Sequence, residues 1–221
     1  MDEVEILEVK KTILEDNDKD AMELSNELKK DKILYINVMS SPGSGKTSTL
    51  LAIIEKLKKY KIGVMEADID GDVDARVIAK SGAKSIQLHT GGMCHLDASM
   101  SRQGIQALGK EGIDILFLEN VGNLVCPAEF KTGASLNVTI LSVPEGDDKP
   151  FKYPLVFSVS DLVIINKIDT IEYFDFDIEK CKKEIKRLNQ NADIILASAT
   201  NKVGIDEIVN WISFKYKEWV K

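Results

Sequence analysis

From residue 33 onward, short apolar runs rich in Ile, Val and Leu alternate with longer amphipathic stretches. The runs are "ILYINVMS", "IGVMEAD", "SIQLHT", "DILFLEN", "NVTILSV", "DLVIINK" and "DIILASA". Apolar runs of this length, separated by helical stretches, predict strands buried on both faces of a parallel sheet. The fold class expected is therefore α/β, a doubly wound, mostly parallel sheet with helices on both faces. Upstream, Val4, Leu7, Ile13, Leu14, Met22, Leu24 and Leu28 recur at loosely helical spacing among charges, and the basic run "LKKDK" ends the pattern. This predicts a leading helix within residues 3 to 30. Residues 144 to 161, with a glycine and three prolines, read as a long surface loop holding about one helical turn. Residues 1 to 221 thus read as one domain with an N-terminal helical extension at about 1 to 30.

After the first run comes "SSPGSGKTSTLLAIIEKLKK", residues 40 to 59. Here a strand, a glycine-rich turn and an amphipathic helix follow in order. Glycines let backbone N–H groups converge on phosphate oxygens, and a helix N-terminus favours the anion. Gly43, Ser44, Gly45, Lys46, Thr47 and Ser48 are the candidate cradle, with Lys46 reaching the β and γ phosphates and Thr47 a ligand for Mg²⁺. The pattern departs from the usual one at Ser40, where glycine ordinarily stands six residues before the lysine. Near the end of a later run, "IINKIDT" supplies Asn166, Lys167 and Asp169. A carboxylate at Asp169 accepts two hydrogen bonds from guanine N1 and N2, where adenine offers no matching pair. At about 1.5 to 3 kcal/mol for each bond to a charged group, GTP is preferred over ATP. The small turn Ser198-Ala199-Thr200 in "LASATNKVG" suits the other edge of the base.

"DILFLENVGNLVCPAEF", residues 114 to 130, runs from a strand to Glu119 and then Gly122. An acid at a strand end beside the phosphate loop can hold Mg²⁺ directly or through water, and a glycine N–H three residues on can sense the γ-phosphate. In "EADIDGDVDA", Asp68 and Asp70 are further Mg²⁺ or water-orienting candidates, ahead of Asp72 and Asp74; a solvated or helix-capping role competes for each. Asn123 and Leu124, not a glutamine, follow Gly122, so intrinsic hydrolysis is expected to be slow and to need a partner or dimerisation.

The chain has three cysteines, at 94, 126 and 181, and two histidines. Cys94 and His95 follow the third strand, and Cys126 follows Gly122. In a doubly wound sheet the carboxyl ends of the strands share one edge, where these three side chains can meet. Thiolates and imidazole suit Zn²⁺ or Ni²⁺. Three ligands leave one position open, for water, another side chain or a two-fold related subunit. The competing reading makes both cysteines small buried hydrophobes and His95 a core histidine. Cys181, on a charged helix, has no such neighbours in the sequence.

A net charge of −7 argues against nucleic-acid or anionic-lipid partners. No apolar run approaches the roughly 20 residues of a membrane span, the N-terminus lacks the order of a secretion signal, and three cysteines do not make a disulfide framework. A cytoplasmic location is expected.

"SSPGSGKTS", "EADIDGDVDA", "HTGGMCHLDA", "ENVGNLVCP", "PEGDDKPFKYP" and "NKID" resemble the hydrogenase nickel incorporation GTPase family, HypB, over essentially residues 30 to 220. The placement of the Cys-His and Cys-Pro segments separates it from the urease accessory GTPases, which carry a Cys-Pro-His triplet. The resemblance implies a SIMIBI-like phosphate-loop G domain. It also implies a slow GTPase that dimerises with GTP and assists nickel delivery to a [NiFe] hydrogenase large-subunit precursor alongside the metallochaperone HypA. It assigns Lys46 and Thr47 to phosphate and Mg²⁺, Glu119 to the strand-end acid, Asp169 to guanine, and Cys94, His95 and Cys126 to the metal. The sequence contains neither an N-terminal Cys-x-x-Cys-Gly-Cys site nor a His-rich tract, so bulk nickel holding is not expected of it. Maturation of urease or of another metalloenzyme is the alternative within the same mechanism.

Overall fold

A computed structural model of the chain describes residues 9 to 68, 78 and 81 to 221. In chain order the described helices and strands are α1 (Val9–Lys30), β1 (Leu34–Ser40), α2 (Lys46–Lys56), β2 (Ile62–Asp68), β3 (Lys84–His89), α3 (Ala98–Leu108), β4 (Ile115–Glu119), α4 (Cys126–Glu129), β5 (Leu136–Ser142), α5 (Lys149–Lys152), α6 (Pro154–Ser158), β6 (Leu162–Asn166), α7 (Ile178–Leu188), β7 (Asp193–Leu196) and α8 (Ile205–Trp219). All seven predicted strands form, in the order β3-β2-β4-β1-β5-β6-β7. Every neighbouring pair is parallel.

The near-continuous apolar runs are explained by burial on both faces. Every residue of β1, β4 and β6 is buried. Alternate residues feed opposite layers. On one face Leu34, Ile36 and Val38 pack with Ile53, Ile54 and Leu57 around α2 and with Ile208 and Ile212 of α8. On the other, Tyr35 joins Leu24 and Leu28 of α1 and Ile105 and Leu108 of α3. Met39 joins Val156 and Phe157 of α6 and Cys181 and Ile185 of α7. Between these last two clusters stands Asn37, 2% exposed. Its amide is satisfied on both sides: Asn120 Nδ2 donates to Asn37 Oδ1 at 3.0 Å, and Asn37 Nδ2 donates to Asn137 Oδ1 at 3.1 Å. This rung of asparagines ties the end of β4 to β1 and β5, so the segment leaving β4 starts from a fixed point.

Two sequence expectations need adjustment. The stretch 144 to 161 is not one loop with a single turn; a 3₁₀ turn at Val143–Glu145 is followed by α5 and α6. Each proline, Pro144, Pro150 and Pro154, occupies the first or second helical position, where its missing N–H costs nothing. In α1, Ala21, Leu24 and Leu28 are buried against the sheet layer, whereas Ile13 and Met22 are exposed at 52% and 62%. The order of strands reverses at β1, flanked by β4 and β5, so the carboxyl ends of these three strands open on one crevice.

Candidate functional site

The chain leaves β1 at Ser40 and enters α2 through Gly45, whose φ is +92°. A Cβ there would stand 2.7 Å from Asn166 Nδ2, so both the conformation and the space require glycine. Lys46 Nζ donates to Ser40 Oγ at 3.0 Å, and Ser44 Oγ donates to the same oxygen at 2.6 Å. Ser40, the departure from the usual motif, is thus the anchor of the loop. Asn166 Nδ2 donates to the Ser44 carbonyl at 2.9 Å, and Lys167 Nζ to the Gly43 carbonyl at 2.6 Å. The two motifs recognised separately in the sequence are therefore stitched together by hydrogen bonds across more than a hundred residues. Ile168 N–H donates to the Ala197 carbonyl at 3.2 Å, which sets the turn bearing Asp169 beside Ser198 and Ala199. Ser198 is buried, its Oγ accepting from Asn201 N–H at 3.1 Å, whereas Asp169 and Ser48 are exposed.

Thr47 Oγ1, in the first turn of α2, donates to Glu119 Oε1 at 2.7 Å. The hydroxyl and the strand-end acid expected to serve Mg²⁺ are thus in contact. Asp68 closes β2, in register with His89 of β3. Asp70, with Asp72 and Asp74, lies outside the described residues. Glu66, which the sequence reading passed over, is 3% exposed and lies opposite Glu119 in the β2–β4 register. An acid inside an apolar run was the available signal. Gly122 packs on the phosphate loop: a Cβ there would sit 3.1 Å from Pro42 Cα, Cγ and N, so any side chain would push the two segments apart.

Beyond Gly122 the chain reaches Cys126 at the start of α4. Cys94 Sγ and Cys126 Sγ stand 2.8 Å apart, Cys94 Sγ is 3.8 Å from His95 Nδ1, and one ligand atom from each of the three residues falls within 4.8 Å of the others. The three candidate metal residues converge, and both cysteines are half-buried rather than fully buried, which counts against their being small core fillers. His95 is 9% exposed, and its ring stacks on Phe130 with centroids 3.9 Å apart at 18°. Burial holds the imidazole below its ordinary pKa, against the charges of Asp97 and Glu129, and so favours the neutral, ligating form. The neighbouring Cys126 thiol and partial burial raise the Cys94 pKa, so metal binding there would release a proton. The donor set suits a soft or borderline cation. Two sulfurs bound to one tetrahedral ion stand about 3.8 Å apart, so the pair would part by about 1 Å to receive it. Cys181 is fully buried, and burial pushes its thiol up to about 12.

Residues 34 to 196 match the nucleotide-binding domain of the CobW/HypB/UreG family. The chain belongs to this family. It is 40% identical over 213 residues to the hydrogenase/urease maturation factor HypB of Helicobacter hepaticus, covering 95% of this chain and 88% of that one. It is 41% identical over 213 residues to the hydrogenase maturation factor HypB of Escherichia coli K12, covering 96% and 73%. The crystal structure of HypB from Helicobacter pylori in complex with nickel superposes with a TM-score of 0.87 at 39% identity, over 92% of this chain and 96% of that one.

The sequence reading missed two supports of this site: Phe130, whose ring stacks on His95, and Asn123, which it named only as the residue after Gly122. Asn123 Nδ2 approaches the Cys94 carbonyl at 3.5 Å, and its Oδ1 accepts from Val125 N–H at 2.8 Å.

Proposed function

We propose that this chain is a slow GTPase that handles nickel during maturation of a [NiFe] hydrogenase, acting as a homodimer favoured by GTP. Lys46 and the N–H groups at the start of α2 neutralise the triphosphate, Thr47 and Glu119 hold Mg²⁺, and Asp169 selects guanine. GTP and water become GDP and phosphate. The residue after Gly122 does not position the water: Asn123 is turned towards Cys94, and Leu124 is 5% exposed. That arrangement supports a low rate in the single chain.

Nickel is the cargo, taken by Cys94, His95 and Cys126; Zn²⁺ fits the same donors, and availability decides between them. A second copy placed across a two-fold axis completes the coordination. The hydrogenase large-subunit precursor and a HypA-type metallochaperone are the partners, neither nucleic acid nor membrane being one. No helix among the described residues is long and apolar enough to cross a membrane. The reading places the work in the cytoplasm, where thiols stay reduced.

The observation that carries this reading is the convergence of Cys94, His95 and Cys126 just past Gly122, the glycine that touches the phosphate loop. A urease precursor is the second reading for the client, favoured because the Helicobacter relative is a hydrogenase/urease maturation factor. The test is size-exclusion with metal analysis of wild type and Cys94→Ala, with and without a non-hydrolysable GTP analogue. Wild type is expected to dimerise with the analogue and to carry nickel that Cys94→Ala loses. Stoichiometric nickel and unchanged dimerisation in the variant would sink the metal reading and leave a GTPase.

A further inference from the structure

Asn17 stands on the buried face of α1 in the series Asn17, Ala21, Leu24, Leu28, all of them 9% exposed or less. The spacing is that of an apolar stripe, and leucine would be the ordinary occupant. An amide there is costly unless both of its ends are bonded. Both are. Asn17 Oδ1 accepts from Ala98 N–H at 2.9 Å, and Asn17 Nδ2 donates to the Lys131 carbonyl at 3.0 Å.

These two partners are not arbitrary pieces of backbone. Ala98 opens α3, three residues beyond His95, and follows Asp97, whose side chain caps the helix by accepting from Met100 N–H at 2.8 Å. Its N–H is one of the donors that a helix start leaves without an internal partner. Lys131 follows Phe130, the ring that stacks on His95, and Phe130 N–H donates to the Cys126 carbonyl at 3.3 Å. One amide therefore spans the segment that carries Cys94 and His95 and the segment that carries Cys126. The two segments come from different strands and lie 32 residues apart at the sulfurs. Their relative position fixes the distances within the donor set.

We infer that Asn17 is a positioning residue for the Cys94–His95–Cys126 metal site, and that α1 sets the site's affinity through it. This rests on the metal reading above and deepens it. A polar residue in an apolar stripe lowers packing gain and specifies register, and register between the two ligand segments is what the bonds of Asn17 supply. Asn17 touches neither the metal nor the nucleotide, so its removal loosens the donors without altering them. Supports of this kind typically change metal affinity about 10- to 100-fold.

The test compares the full-length wild type, Asn17→Ala, Asn17→Asp, Leu24→Ala and Cys94→Ala. For each, Ni²⁺ affinity is measured by competition with a chromophoric chelator, the thiolate-to-nickel absorption band is recorded, and guanine-nucleotide affinity and thermal midpoint are determined. Asn17→Ala is expected to weaken Ni²⁺ about 10- to 100-fold and to shift the band, with nucleotide affinity within about twofold. Asn17→Asp keeps the acceptor for Ala98 but sets a carboxylate oxygen against the Lys131 carbonyl, so it is expected to weaken Ni²⁺ at least as much as Asn17→Ala; it also serves as a second readout if Asn17→Ala does not fold. Leu24→Ala, a destabilising change in the same stripe, is expected to leave Ni²⁺ affinity within about twofold. Wild-type affinity and band in both Asn17 variants would overturn the inference, as would equal weakening in Leu24→Ala. If Cys94→Ala itself binds Ni²⁺ like wild type, the metal reading fails; if Cys94→Ala loses nickel and the Asn17 variants do not, only the positioning role fails.

Discussion

The two ends of the crevice are built differently. At the nucleotide end, the phosphate loop, Asn166, Lys167 and Ser40 are locked to one another by side-chain hydrogen bonds, and Thr47 already meets Glu119. At the proposed metal end the described residues supply three donors, two of them half-buried cysteines, steadied by one ring stack and by bonds of Asn17 and Asn123 to the flanking backbone. Met93 and Val125, next to the two cysteines, are 43% and 46% exposed. Among the described residues, the nucleotide end is preorganised and the proposed metal end is left open. Preorganisation suits a ligand that must be recognised and hydrolysed, since donors fixed in advance need not reorganise. An open donor set suits a cargo that must also be given up, because a closed tetrahedral site holds its ion as part of the fold.

The contrast breaks most visibly at Asp169. Asp169→Asn exchanges a double acceptor for a group with one acceptor and one donor. Because one bond to a charged group is lost, worth about 1.5 to 3 kcal/mol, GTP affinity is expected to fall about 10- to 150-fold. Xanthosine triphosphate, which carries a carbonyl where guanine carries its amino group, should gain. Nickel affinity measured without nucleotide should stay at wild type, since the two ends are separately held. GTP binding unchanged in the variant would remove the guanine assignment. Isothermal titration with the two nucleotides decides it.

A smaller effect sharpens the metal end. Phe130→Ala removes the ring stacked on His95 and opens that imidazole to water. An aromatic pair is worth about 0.5 to 1.5 kcal/mol beyond its buried area, so nickel affinity should weaken about three- to tenfold. GTP turnover without metal should not move. A loss equal to that of Cys94→Ala would show that the loop collapses and that the stack is structural to the whole segment.

How much of this was readable without coordinates follows the same division. The strands were legible because burial on both faces leaves unbroken apolar runs, and the Gly-Lys-Thr and Asn-Lys-x-Asp segments stood out because their residues are contiguous. Cys94, His95 and Cys126 were legible as ligand types, and the shared sheet edge brought them together correctly. The supports were not. Asn17, Phe130 and Asn37 act through contacts made at long sequence separation, and nothing in their immediate neighbours distinguishes them from ordinary helix or strand residues. Asn17 even interrupts the pattern that predicts its own helix. The prolines of residues 144 to 161 misled for a related reason: proline reads as a breaker, yet at the first or second helical position it starts a turn.

The smallest effect expected tests the anchor. Ser40 is fully buried; it accepts from Lys46 and Ser44, and its hydroxyl donates to the Ser41 carbonyl at 2.8 Å. Two consequences of Ser40→Ala oppose each other. Losing the acceptor leaves Ser44 Oγ, itself buried, with a bond to replace, which should lower stability by about 1 kcal/mol. The same loss releases Lys46 from a contact that competes with the phosphates, which favours GTP. Because Lys46 is only partly buried, its bond to Ser40 is worth less than the charge-assisted contact it makes with a triphosphate, so the second consequence is small. The net expectation is a lower thermal midpoint without nucleotide and a GTP affinity within about threefold of wild type, so that saturating GTP restores most of the stability by mass action. A tenfold loss of GTP affinity would instead make Ser40 a phosphate-facing hydroxyl, and the nucleotide end would then depend on a side chain where related loops use bare backbone.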